Sequence, residues 1–203
     1  MKIIIVYTLR RSGTHLTINT IYCNLKSKFS VYNLDKLCDK DTKMIADCQN
    51  NNSNIILKTH SKSQVDNFYK KYHKEHQIYI IKVYKTFDQN CMSLIKYKLL
   101  LSNSNKIKKV HNYYRVIDNF SIKYKLYHSI NNMKYQHITI NNDDFFDYDK
   151  YINILKKISY TTGLYIKKDI LYIDNKHYNN NHNTSDNQYN NNDVIQASNL
   201  TNL

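Results

Sequence analysis

"KIIIVYTLRRSGTHLTINTIYCNL", residues 2–25, decides how the rest of the chain is read. Residues 2–8 form a short, continuous, largely β-branched run, the pattern of a strand buried on both faces. Beyond the turn, Ile18, Ile21, Tyr22 and Leu25 fall at i, i+3, i+4 and i+7, one apolar face of a helix. Between the two lie Arg10, Arg11 and Gly13. The 203-residue chain has two glycines, no proline and three arginines, so this loop is unlike the composition around it. A strand, a glycine turn and a helix amino end make a cradle for an anion. The first helical amides lack internal partners, the helix dipole favours negative charge there, and glycine lets the backbone approach closely.

Working outward, the same alternation recurs. "FSVYNL" (29–34), "NIILKTH" (54–60), "QIYIIKVY" (77–84) and "QHITIN" (136–141) read as further strands. Residues 63–76 read as an exposed helix. Cys91, Leu94, Ile95 and Leu99 have helical spacing within 88–101, and 110–130 reads as a long amphipathic helix. A closing helix spans 147–163, with Asp147 as N-cap and Gly163 just past its end. Residues 35–54 and 102–109 are polar and read as loops, and the Asp143–Asp144 pair as a turn and cap after the last strand. From residue 174 the chain turns Asn-rich and low in complexity, a composition that favours disorder. The expected organisation is one α/β domain over 1–173 and a tail over 174–203.

Apolar strands alternating with helices imply a three-layer α/β fold, a parallel sheet with helices on both faces. Such sheets place their sites at the carboxyl ends of the strands. "RRSGTH" follows the first strand, "KTH" ends the strand at 54–60, and "KTF" with Ser93 follows the strand at 77–84, so all gather at one edge.

Composition narrows the classes. The formal charge of +14 is mostly lysine, which the codon bias of an AT-rich genome supplies by itself. A nucleic-acid partner is therefore not inferred from it. Cys23, Cys38, Cys48 and Cys91 show no C-x-x-C spacing and read as free thiols of a reducing compartment, without zinc. No apolar run reaches membrane-spanning length, and residues 2–8 are too short for a secretory signal, so a cytoplasmic protein is expected.

Two common phosphate loops are excluded by counting. A Walker A loop needs two glycines five apart and a Lys-Ser/Thr pair, and a dinucleotide fingerprint needs three close glycines. Only Gly13 and Gly163 exist. "RRSGTHL" instead resembles the 5′-phosphosulfate loop of sulfotransferases, usually Pro or Tyr-Pro, then Lys or Arg, Ser, Gly, Thr, Thr. Arg11, Ser12, Gly13 and Thr14 match. Arg10 stands where proline is usual and His15 where a second threonine is usual. "ILKTH" (56–60) resembles the family's Lys-Thr-His strand end. Lys85 and Ser93 have the spacing of its 3′-phosphate Arg and Ser. Residues 138–146 resemble its late strand and turn, and 151–171 its closing helix, with Gly163 on a family glycine. The likeness spans roughly 2–173. It departs in Lys85, which lacks the planar fork of arginine, and in the absence of a glycine-rich late segment.

The resemblance implies a P-loop NTPase-like sulfotransferase fold. It also implies transfer of a sulfuryl group from 3′-phosphoadenosine 5′-phosphosulfate (PAPS) to a hydroxyl or amine, with PAPS as co-substrate and no metal. By the same likeness, Arg10, Arg11, Ser12, Gly13, Thr14 and His15 hold the 5′-phosphosulfate, and Lys85 and Ser93 hold the 3′-phosphate. Arg11 stabilises charge without giving up a proton. His60 is the candidate general base, since histidine ordinarily titrates near working pH, and Lys58 is the candidate for the sulfonate oxygens. The acceptor class stays open among glycan, lipid, small molecule and tyrosine. Two other readings stand beside this one: a degenerate P-loop nucleotide kinase, and a non-catalytic basic module binding anions or nucleic acid.

Overall fold

A computed structural model describes residues 1–9, 12–37, 40–93, 117–118, 120–125, 127, 135 and 137–172. Five strands form one all-parallel sheet: β1 (Lys2–Thr8), β2 (Phe29–Asn33), β3 (Asn54–Thr59), β4 (Gln77–Tyr84) and β5 (His137–Asn141), in the spatial order β2-β3-β1-β4-β5. Side chains alternate along each strand, and both faces are covered. Ile4 and Val6 of β1, Ile56 of β3 and Ile81 and Val83 of β4 pack under α1 (Thr14–Asn24) and the last labelled helix, α4 (Tyr148–Thr162). Ile3, Ile5 and Tyr7, with Ile55, Leu57 and Ile80, face α2 (Asp41–Asn50) and α3 (Lys62–Tyr72). Cys91, Phe120 and Tyr127 close that second layer. This is the α/β sheet with helices on both faces that the strand pattern implied.

Two elements differ from the sequence reading. Within 35–54, expected to be loop, residues Asp41–Asn50 form α2. Its buried face is only Met44, Ile45 and Cys48 with Asp41, and its N-cap residue, Lys40, makes no capping bond, so the local signal is sparse. Tertiary contact supplies the rest: Lys71 of α3 donates to Asp41 Oδ2 at 2.9 Å. Burial raises the Asp41 pKa, but the hydrogen bonds from Lys71 and Tyr72 outweigh it and leave the carboxyl below its ordinary value. The helix expected to be exposed over 63–76 is α3, ending at Tyr72, and it buries Val65, Phe68 and Tyr72 against the sheet.

The closing helix is as expected at both ends. Asp147 accepts from Lys150 N at 3.1 Å, and Gly163 adopts the left-handed conformation at φ 62°. Helix α1 is buried well beyond its apolar stripe, at Thr17, Thr20 and Asn24 as well. Residues 165–171 wrap its end. Lys26 N donates to Tyr165 O at 2.7 Å and Lys167 N to Asn24 O at 2.8 Å. Four stretches expected from sequence lie wholly or mostly outside the described residues: most of the 88–101 helix, the 102–109 loop, more than half of the 110–130 helix and the tail from 174.

Candidate functional site

The strand order dictates where a ligand crevice opens. The chain leaves β1 toward β2 on one side of the sheet and leaves β4 toward β5 on the other. Their outgoing connections diverge, so the crevice lies beyond the carboxyl ends of β1 and β4. Three segments meet there: the turn after β1, residues 85–93 after β4, and the 3-10 turn Asn142–Phe146 after β5.

The turn after β1 is built around Gly13. It is the N-cap of α1 at φ 93°, a conformation that costs a side chain dearly, and no side chain caps the helix. A Cβ on Gly13 would run into Asn142 Oδ1, with Cγ only 3.0 Å away. Gly13 therefore gives the α1 amino end no side-chain cap, and its missing Cβ is what lets Asn142 pack against the turn. Ser12 is fully buried, and its amide donates to Leu9 O at 3.2 Å. Thr14 is buried, its hydroxyl 2.5 Å from Thr8 Oγ1. His15 is exposed on the first turn. Arg10 and Arg11 lie outside the described residues.

His60 joins the same cluster from the end of β3. Its Nδ1 is 2.9 Å from the Thr8 carbonyl oxygen and 3.2 Å from Thr8 Oγ1. A carbonyl can only accept, so Nδ1 carries a proton in this contact, and in the neutral tautomer the lone pair is on Nε2. The His60 amide donates to Asp35 Oδ2 at 3.2 Å, and Thr59 Oγ1 donates to Asp35 Oδ1, so the carboxylate after β2 fixes the end of β3. Lys58, two residues past Ile56, leaves β3 on the α1 face and is only 8 % exposed.

After β4, Lys85 is half-buried and its carbonyl accepts from Tyr124 Oη at 3.3 Å. Residues 87–93 are helical, with Ser93 half-buried at the end of the described stretch. The residue that reaches the first loop from this helix is Asn90, whose Nδ2 donates to Ser12 Oγ. Gln89 Nε2 donates to Asp143 Oδ2 at 3.0 Å and ties the helix to the turn after β5. The structure thus brings together Ser12, Gly13, Thr14 and His60 directly, and the Lys85–Ser93 segment through Asn90.

Asn90, Asn142 and Asp35 were not singled out from sequence. In a chain so rich in asparagine, neither amide stands out. The one signal for Asn90 was its position three residues before Ser93, which puts both on one side of a helix.

Lys82 is a second buried cation near this edge. It is 2 % exposed, its Nζ sits 4.6 Å from the centroid of the Tyr127 ring, and burial lowers its pKa. Among the described residues no carboxylate forms an ion pair with it. Tyr127 donates to Val83 O at 2.5 Å, and burial raises its pKa. Tyr7 is pushed up to about 12, chiefly by burial. Among the described residues no group of three or more His, Cys, Asp or Glu side chains is placed to hold a metal, and no helix is long and apolar enough to cross a membrane.

Comparison with known proteins adds no assignment: no family model matches the chain, and no curated protein does.

Proposed function

We propose that the chain is a sulfotransferase of P-loop-like fold that moves a sulfuryl group from PAPS to a hydroxyl or amine. The observation that carries the reading is the hydrogen-bonded cluster around Thr8. One side chain contacts both Thr14, in the first turn of α1, and His60, the candidate base. In this reading the proposed cradle, after β1, and the proposed base, after β3, meet at Thr8. One feature supports a phosphate-like group at that cradle: the start of α1, where the N-cap is Gly13 and offers no side-chain cap.

In this reading PAPS supplies an activated sulfuryl group. The α1 amides, Ser12 and Thr14 hold the 5′ end, and Lys85 with Ser93 holds the 3′-phosphate. Arg11 offsets charge growing on the leaving oxygen. His60 Nε2 takes the proton from the acceptor as its oxygen or nitrogen bonds to sulfur and the S–O bond to the nucleotide breaks. Asp35 keeps His60 in place through its backbone. Lys58 neutralises sulfonate oxygens.

The test is a thermal-shift comparison of 3′,5′-adenosine bisphosphate (PAP) with AMP and ATP, since a ligand of the native state raises Tm. PAP should stabilise most. Lys85→Ala should weaken that response, while His60→Ala should keep it and lose turnover. Strong stabilisation by ATP with none by PAP would favour a nucleotide kinase instead.

A further inference from the structure

Among the described residues, Asn90 Oδ1 is the one fully buried side-chain nitrogen or oxygen without a hydrogen-bond partner. Native proteins rarely leave such an atom unpaired, and each instance calls for a physical reason. Its position supplies one. The side chain is fully buried, the other amide atom is already bonded to Ser12 Oγ, and Ser12 immediately precedes Gly13 at the amino end of α1. The amide that carries the unmade bond is therefore anchored one residue before the N-cap of α1, where Gly13 offers no side-chain cap. A second amide, Asn142, packs against Gly13 and is 2 % exposed.

We propose that Asn90 is a ligand-contacting residue of this cradle, donating an amide N–H to an oxyanion seated at the α1 amino end. The proposal rests on the anion-cradle part of the reading above, and not on sulfuryl transfer. The amide can serve either polarity. Rotation by 180° exchanges Oδ1 and Nδ2 without changing the side chain's shape, and the Ser12 hydroxyl can accept or donate. With Ser12 donating to Oδ1, the amide presents N–H to the ligand. An anionic oxygen selects that arrangement, and the orphan disappears when the ligand binds. Asn90 then links occupancy of the cradle to the helix after β4.

The test measures binding of PAP and, separately, inorganic sulfate to the full chain by thermal shift and titration calorimetry. It compares the wild type with Asn90→Asp, which keeps shape but loses both N–H groups, and with Asn90→Leu, which removes the orphan outright. Both variants are expected to weaken binding by about tenfold or more, the loss of a hydrogen bond to a charged group. A readout that needs no variant to fold is the Asn90 side-chain NH₂ resonance of the wild type, which should move on saturation with either probe. Affinities within twofold of wild type in a folded variant, or an unmoved Asn90 resonance at saturation, would overturn the assignment while leaving the sulfotransferase reading standing. Binding of sulfate but not PAP, lost in the variants, would uphold Asn90 and remove PAPS. If neither probe binds the wild type, the cradle and the role of Asn90 fall together.

Discussion

The two edges of the sheet differ in how completely their polar groups are satisfied. At the amino edge they satisfy one another. The Lys2 amide donates to Asn54 Oδ1 at 2.7 Å, and Asn54 Nδ2 donates to Ser27 Oγ at 2.5 Å. Lys2 Nζ caps the end of α4 through Thr162 O at 2.5 Å and Gly163 O at 3.1 Å. Asn24, fully buried, bonds Tyr151 Oη at 2.8 Å, Thr20 O and Leu171 O at 3.1 Å, and Leu171 N at 2.6 Å. At the carboxyl edge the N-cap of α1 is a glycine without a capping side chain, and Asn90 keeps an unmade bond. The glycines repeat the contrast. Gly163 would bring a Cβ to 3.1 Å from the tip of flexible Lys2, whereas Gly13 faces the buried amide of Asn142. One edge closes on its own hydrogen bonds; the other keeps one buried acceptor unpaired.

Substitutions can break or sharpen that contrast. The largest effect is expected at Gly13→Ala. Left-handed strain and the collision with Asn142 together should cost about 3 kcal/mol in urea unfolding, and any PAP or sulfate response should vanish. Adding Asn142→Ala should recover the steric part of the stability and none of the strain, a coupling that a double-mutant cycle reads directly.

Asn24→Ala strikes the amino edge. It leaves buried groups without their partners and should cost about 2–3 kcal/mol, yet leave ligand responses as they were. Loss of binding in a folded Asn24→Ala chain would show that the edges are not independent.

Lys82→Met probes a buried charge one register step from the carboxyl edge, where Lys82 pairs with Tyr7 and Val83 with Thr8. Replacing it should stabilise the fold by about 1 kcal/mol at neutral pH. Its folded pKa is lowered from 10.5, so between the folded and unfolded values the unfolded chain binds more protons and wild-type stability rises with pH. The advantage of Lys82→Met is therefore full below the folded pKa and fades as pH climbs to the unfolded value. A pH-independent difference would mean that the amine is not desolvated in the native state. The smallest change is expected at Gly163→Asn, less than about 1 kcal/mol, because asparagine tolerates the left-handed C-terminal cap.

Much of this architecture was legible locally. The strands at 2–8, 54–59 and 77–84 are short apolar runs with no competing period, and Asp147 and Gly163 bracket a helix by cap chemistry alone. Helix α2 was not legible, because its three apolar contacts are too few to set a period and the Asp41–Lys71 contact is between helices. The loop residues Ser12, Gly13 and Thr14 could be picked out because glycine is so scarce here. Asn90, Asn142 and Asp35 could not, because each acts on a residue distant in the chain: Ser12, Gly13 and His60.

The sequence by itself determined the alternation of buried strands with helices, and the turn that only glycine can make, since periodicity and backbone sterics act over a few neighbouring residues. Tertiary structure alone decided which strands lie side by side, and so where the crevice opens. It also decided which asparagine is left with an unmade bond and which ring nitrogen of His60 holds the proton. Those outcomes depend on hydrogen bonds between groups 52 and 78 residues apart, which no local pattern encodes.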